Sequence, residues 1–139
     1  MRVKKIAFII YLVSMIFTLS ACGLNLSDIA ITDAKIVTAV DEKLMPVKVT
    51  DTFPKGTSKV SCWIEWRKAK INTQVVAKWH YVTDDIPILD YVFTIPKKEG
   101  MGSVTLAMPD GKLLPSGLYR IELALGKRVL KSLSFKIEQ

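Results

Sequence analysis

The residues best suited to chemistry lie between positions 80 and 90. His80 is the only histidine of the 139-residue chain, which excludes a metal site built on several imidazoles. Asp84 and Asp85 follow it, but the nucleophile elbow G-x-S-x-G that would complete a Ser-His-Asp arrangement is missing. With Asp90 they could bind calcium, yet the spacing of an EF-hand loop is also missing. We predict a protein that is not an enzyme and has neither a metal nor another cofactor.

The first of two cysteines indicates another kind of chemistry. Cys22 follows Leu19-Ser20-Ala21, and upstream lie three basic residues and the uncharged run 6–19. That run has fourteen residues, fewer than the roughly twenty that cross a bilayer as a helix, so it is typical of a signal peptide. Residues 19–22 resemble the lipobox of bacterial lipoproteins. The resemblance implies that Cys22 is acylated on sulfur and that signal peptidase II cuts before it.

This resemblance divides the chain into a signal peptide (residues 1–21), a lipidated N-terminus with a short tether (22–28) and one folded domain (29–139). It implies a lipid anchor in the cell envelope. In an organism with two membranes we expect the periplasmic face of the outer membrane, because Gly23 replaces the aspartate that retains lipoproteins in the inner membrane. Otherwise we expect the outer face of the cytoplasmic membrane. An ordinary signal peptide, or an uncleaved anchor with a chance Cys22, is the alternative.

Charge and cysteine content restrict the partners of the domain. Loss of the leader lowers the formal net charge from +7 to +4, since 17 basic and 13 acidic residues remain. The basic residues are spread along the sequence, which predicts a solvated surface and no nucleic-acid partner. Acylation of Cys22 leaves Cys62 without an intramolecular partner, so no disulfide framework forms. Because Cys62 lies in an apolar run, we predict a buried, inert thiol.

Short β-branched and aromatic runs recur about every ten residues, separated by turn residues, and this spacing is typical of a β-sandwich or barrel. In residues 60–67 only the face with Val60, Cys62, Ile64 and Trp66 is wholly apolar, so that face should point inward. The predicted strands span residues 29–40, 47–53, 60–67, 75–82, 88–95, 103–108, 118–125 and 129–138.

The segment Leu114-Pro-Ser-Gly-Leu-Tyr119 runs directly into an alternating strand. It resembles the tyrosine corner of immunoglobulin-like and fibronectin III-like sandwiches, in which the tyrosine hydroxyl hydrogen-bonds to backbone a few residues upstream. The resemblance implies an all-β sandwich of about 7–8 strands, with Tyr119, Gly117 and Cys62 in structural roles. Ile121 stands where antibody domains have their second disulfide cysteine. An ordinary half-buried strand residue is the alternative for Tyr119.

Three residues are candidate surface contacts. If Cys62, Ile64 and Trp66 face the core, Trp63 faces outward near Arg67, and an exposed indole often anchors protein or sugar contacts. His80 lies on the outer face of another strand. The alternative is that Trp63 packs beneath a loop, or that both faces of its strand are partly covered.

Two functions remain open. The first is a non-catalytic binding or assembly module that docks on an envelope protein through strand edges or loops, while acylated Cys22 holds it on the lipid membrane. The second is a lipoprotein that binds a glycan or small molecule in a cleft. An extended aromatic groove would favour the second function, and a flat apolar edge would favour the first. A fold alone does not decide between them, because sandwiches have many functions.

Overall fold

Two β-sheets pack face to face in the computed structural model, which describes residues 29–139. The predicted signal peptide, Cys22 and the predicted tether lie outside the described residues. Within residues 29–139, no helix is long and apolar enough to cross a membrane. The nine strands are β1 (Ala30–Val40), β2 (Pro46–Val49), β3 (Thr52–Phe53), β4 (Lys59–Arg67), β5 (Gln74–Tyr81), β6 (Ile86–Thr94), β7 (Gly100–Ala107), β8 (Gly117–Leu125) and β9 (Arg128–Ile137).

The first sheet has four strands in the order β2-β1-β4-β7. Its inner face includes Val60, Cys62, Ile64 and Trp66 of β4, all of them at most 2% exposed. The prediction for this face is therefore confirmed. Strand β4 lies between β1 and β7, and it pairs with both in antiparallel register.

The second sheet has five strands in the order β3-β9-β8-β5-β6. Strands β8 and β9 form the predicted tight hairpin, in which Leu125 pairs with Arg128. Between them, Gly126 has a φ of +59°, a conformation that glycine adopts without steric cost. The edge strands of this sheet are β3, which has only two residues, and β6, which has nine.

The predicted strand 47–53 is in fact two strands that belong to different sheets. Strand β2 pairs with β1, whereas β3 pairs in parallel with β9. The chain crosses between the sheets at Thr50 and Asp51, where the Thr50 hydroxyl donates to the carbonyl oxygen of Thr52 at 2.9 Å. This crossing raises the strand count from the predicted 7–8 to nine. The sequence pattern shows no break here, because the turn contains neither glycine nor proline.

Aromatic side chains fill much of the space between the sheets. Trp66, Trp79 and Tyr119 are each 1% exposed. Phe135 stacks on the Tyr119 ring with 4.9 Å between centroids, and it meets Trp79 edge-on at 6.1 Å. These four residues belong to one hydrophobic cluster, which side chains of both sheets form.

Candidate functional site

The structure corrects the prediction that Trp63 is an exposed surface contact. Trp63 does lie on the outer face of the four-stranded sheet, but its side chain is only 4% exposed. The β1–β2 turn covers it, and the indole nitrogen donates to the carbonyl oxygen of Leu44 at 2.7 Å. The Asp41 carboxylate fixes this turn by accepting from the amides of Lys43 and Met45. Trp63 therefore packs beneath a loop, which was the alternative.

The two other candidate contacts do not share a site. Arg67 is exposed at the end of β4, on the outer face of the four-stranded sheet. His80 is half-buried on the outer face of the five-stranded sheet, where its Nε2 lies 2.8 Å from a carboxylate oxygen of Asp85. The sandwich separates these faces, so Arg67 and His80 cannot act on one ligand.

The Tyr119 hydroxyl forms the contact that the tyrosine-corner resemblance implies. It donates to the carbonyl oxygen of Pro115, four residues upstream, at 2.5 Å. Burial, and to a lesser degree the neighbouring Tyr81, raises the pKa of Tyr119 to about 12. The hydroxyl therefore stays protonated and serves as a fixed hydrogen-bond donor.

Gly117 allows Tyr81 and Thr83 to approach the same corner. Its φ is +142°, and an added Cβ would lie 2.7 Å from the Tyr81 hydroxyl and 2.6 Å from the Thr83 hydroxyl. Tyr81 donates to the carbonyl oxygen of Ser116 at 2.6 Å, and Thr83 accepts from the Leu118 amide at 2.8 Å. Only glycine fits at position 117.

The Cys62 thiol is buried in the core and is not bonded to another cysteine. Burial raises its pKa to about 12. A thiol in this state is a poor nucleophile and a poor metal ligand at neutral pH. Cys62 therefore contributes packing rather than chemistry.

The most unusual surface is on strand β6. Leu89 pairs with Trp79 and Tyr91 pairs with Ala77, so both side chains point toward the interior side of the sheet. They are nevertheless 45% and 51% exposed. The opposing sheet ends at β7, and in residues 29–139 no further strand lies beyond β7 to cover them. We call Leu89 and Tyr91 the β6 overhang.

Farther along β6, the interior is closed. Phe93 meets Trp66 edge-on at 5.5 Å between centroids. It also lies so close to Gly102 of β7 that an added Cβ there would be 2.8 Å from the phenyl ring. This contact fixes the lateral position of β7 against β6. Phe93 is therefore half-buried, whereas the β6 overhang is exposed.

The free edge of β7 borders the same opening. Its sequence, Gly100-Met-Gly-Ser-Val-Thr-Leu-Ala107, contains no charged residue and no proline. Natural proteins commonly place charged residues or proline on an edge strand to prevent the addition of a foreign strand. The edge of β6, by contrast, carries Pro87 and Asp90. Strand β7 is thus the edge that is chemically open to a new strand.

An apolar groove of about 500 Å³ lies between the start of β6 and the tyrosine corner. Its polar side chains are few, namely the carboxylate of Asp84 and the hydroxyls of two tyrosines. In the described part of the chain, no three histidine, cysteine or acidic side chains come together as a metal site. The lining residues are Tyr81, Asp84, Ile86, Pro87, Ile88, Met108, Leu114, Pro115 and Tyr119.

Sequence reasoning missed this site, although two signals pointed to it. Segment 86–93 is apolar at most positions instead of alternating, as expected of a strand that has apolar contacts on both faces. Pro87 also indicates an edge strand, because proline cannot donate to a neighbouring strand. Neither signal reveals that β7 is the last strand of the other sheet, since that depends on the topology.

The comparisons with known proteins extend to the fold only. No protein-family model matches the chain, and no curated protein matches it. An immunoglobulin-like protein from Pseudomonas aeruginosa is similar in structure, with a TM-score of 0.57 and 11% identity. The match covers 82% of this chain and 99% of that one. This likeness and the two-sheet architecture confirm the prediction of an immunoglobulin-like β-sandwich.

A second solved structure is less similar. It is an alkylpurine DNA glycosylase from Pseudomonas fluorescens, bound to DNA with an abasic site analogue. The TM-score is 0.49 at 10% identity, and the match covers 81% of this chain but 31% of the glycosylase. A likeness at this level carries no conclusion about this chain.

Proposed function

We propose that this protein is a lipid-anchored envelope lipoprotein whose sandwich is a non-catalytic docking module for an extended strand of another envelope protein. The strand pairs with the free edge of β7 and extends the four-stranded sheet by one strand. Its inward side chains cover the β6 overhang. This mode of recognition gains affinity from backbone hydrogen bonds and specificity from alternate side chains.

One observation carries the proposal: Leu89 and Tyr91 face the interior side of their sheet but remain about half exposed. Inward apolar side chains at an exposed position cost free energy, roughly 25 cal/mol for each Å² of apolar surface left in water. A strand at the β7 edge would remove that cost and also satisfy backbone groups. We therefore expect a partner segment with apolar residues at alternate positions.

The second candidate, binding of a glycan or small molecule, has one supporting observation, the groove of about 500 Å³ beside Tyr81 and Ile86. Its lining is mainly apolar and offers few hydrogen-bonding side chains. A sugar displaces ordered water on binding and needs polar groups to replace it. The groove therefore favours an apolar side chain of the docked strand over a glycan.

The anchor is supported by the order of basic residues, apolar run and Leu19-Ser-Ala-Cys22. Changing Cys22 to Ala should abolish both acylation and cleavage, because signal peptidase II acts on the lipid-modified cysteine. The precursor should then accumulate, which is seen as a slower band on a gel. Normal conversion of this variant to the smaller form would contradict the anchor.

The docking role is tested by two substitutions on neighbouring residues of β6. Tyr91→Glu places a charge in the proposed strand site, whereas Val92→Glu places it on the outer face of the same strand at nearly equal exposure, 51% against 50%. Each variant is expressed in a deletion strain, and proteins that copurify from native membranes are quantified. We expect Tyr91→Glu to lose a partner that Val92→Glu retains. Equal retention or equal loss in both variants would contradict docking at β7.

A further inference from the structure

Basic residues that are distant in sequence gather at one end of the sandwich. The β4–β5 loop and the β6–β7 loop meet there, since the Ala69 amide donates to the carbonyl oxygen of Lys98 at 2.9 Å and the Asn72 amide donates to that of Ile95 at 2.8 Å. The β8–β9 turn lies at the same end of the second sheet, because Val76 near the start of β5 pairs with Ala124 near the end of β8. We call segments 67–73, 95–99 and 126–128 the basic end.

Basic residues greatly outnumber acidic residues at this end. The three segments contain seven basic residues and one acidic residue, Glu99, for a formal net charge of +6. The loops at the opposite end, residues 41–45, 54–58, 82–85, 108–116 and 138–139, contain three basic and six acidic residues. All seven basic residues at the basic end are exposed, namely Arg67, Lys68, Lys70, Lys97, Lys98, Lys127 and Arg128.

An apolar side chain stands among these charges. Ile71 lies between Lys70 and Asn72 in the β4–β5 loop, and it is 65% exposed, the highest value among the large hydrophobic residues with exposed side chains in segment 29–139. The loop is held in place by contacts of its neighbours: Ala69 is 6% exposed, and the Thr73 hydroxyl donates to the carbonyl oxygen of Lys70 at 2.7 Å. An apolar tip on a fixed basic loop is suited to a surface that is anionic outside and apolar beneath.

The chain also enters the domain at this end. Ala30, the first residue of β1, pairs with Arg67, the last residue of β4. Six residues, 23–28, separate Cys22 from Ile29, and at roughly 3.5 Å each they reach at most about 20 Å. An acyl chain on Cys22 would therefore hold the basic end, and not the opposite one, near the bilayer.

We infer that the basic end is a contact surface for anionic phospholipid headgroups, with Ile71 inserted into the interface. The contact orients the sandwich with the opposite end, whose loops have more acidic than basic residues, away from the membrane. The orientation part of this inference rests on the proposed lipid anchor. Affinity for the lipid surface itself does not, because it depends on charge and on Ile71 alone.

The test uses the chain from residue 22 with Cys22→Ser and no acyl group, so its result is independent of lipidation. Residues 29–139 contain a hydrophobic cluster formed by both sheets, and circular dichroism checks each variant for folding. Binding is measured by cosedimentation with vesicles of phosphatidylcholine alone or with about one third phosphatidylglycerol. We expect binding to the anionic vesicles only, and its loss between about 0.1 M and 1 M salt.

A matched pair of triple variants locates the surface. Lys70, Lys97 and Lys127, one from each segment of the basic end, are changed to Glu. The control changes Lys43, Lys55 and Lys112, one from each of three loops at the opposite end, and so alters net charge equally. We expect the first triple to weaken vesicle binding by about tenfold or more and the control to leave it within about twofold.

Insertion of Ile71 has its own readout. In Ile71→Trp the new indole should shift its emission to shorter wavelength on anionic vesicles and not with inorganic phosphate at the same phosphate concentration. Four results would overturn the inference. They are equal binding to neutral and anionic vesicles, absence of binding to both kinds, equal losses of binding in the two triple variants, and no emission shift for the indole. Tighter binding to a duplex oligonucleotide than to vesicles, at equal phosphate concentration, would also overturn it and assign the surface to nucleic acid.

Discussion

Trp63 and Tyr91 each have the opposite exposure to that which strand alternation predicts. Trp63 points away from the sandwich interior and is 4% exposed, whereas Tyr91 points toward it and is 51% exposed. The β1–β2 turn folds over Trp63, but the strand that would cover Tyr91 is not part of segment 29–139. Alternation thus determines the direction of a side chain, while the neighbouring elements determine whether water reaches it.

Truncation of both side chains tests this comparison with the largest expected effect. Trp63→Ala removes a buried indole and its hydrogen bond to Leu44, so the free energy of unfolding should fall by about 3–5 kcal/mol. Tyr91→Ala removes a ring that is half in water and should cost less than about 1 kcal/mol. Urea denaturation of both variants measures the difference. Similar losses for the two would mean that Tyr91 is already covered in the isolated protein.

Removal of one hydroxyl gives a finer comparison between two tyrosines. Tyr119→Phe leaves the carbonyl oxygen of Pro115 without its donor in a partly buried corner, and should lower the free energy of unfolding by roughly 1–3 kcal/mol. Tyr91→Phe should have almost no effect, because water solvates that hydroxyl. Chemical denaturation distinguishes the two. An unaltered Tyr119→Phe variant would reject the tyrosine corner as a stabilising element.

The smallest effect concerns Cys62, which lies beside Trp63 on β4 but faces the core. Its pKa is raised from 9.0 to about 12 in the folded protein, so above pH 9 the unfolded chain loses this proton first. Stability is therefore unaffected by the thiol below pH 9, and it declines as the pH rises from 9 toward 12. Between pH 8 and 10 the thiol should account for roughly 1 kcal/mol of lost stability.

A variant isolates this contribution from that of Tyr119, whose pKa is also raised. Cys62→Ala leaves a small cavity and lowers stability at every pH, so the slope with pH is compared rather than the absolute value. The slope between pH 8 and 10 should be shallower in Cys62→Ala than in the unaltered protein. Identical slopes would show that water reaches the thiol.

Much of the fold was predictable because the strands that face a core alternate clearly. The inner faces of β4 and β5 and the β8–β9 turn at Gly126 follow from local pattern alone. The division of segment 47–53 between two sheets did not, since its turn at Thr50 and Asp51 lacks glycine and proline. The basic end does not follow from local pattern either, because its three segments are brought together only by strand pairing.

The candidate site was less predictable for the same reason. The sequence pattern predicts a strand for its apolar residues in β6, but their exposure depends on where the other sheet ends. Trp63 was placed on the correct face, yet its cover comes from Leu44, nineteen positions earlier in the chain. Both errors concern contacts between elements, which a periodic pattern within one element does not encode.

Site-specific crosslinking in living cells tests the proposed docking most directly. A photoreactive amino acid replaces Tyr91 in one strain and Val92 in another, and the full-length protein is irradiated in intact cells. We expect a crosslink from position 91 to an extended segment of one partner protein, identified by mass spectrometry, and none to that partner from position 92. A crosslink to the same partner from both positions, or from position 92 alone, would contradict docking at the β7 edge.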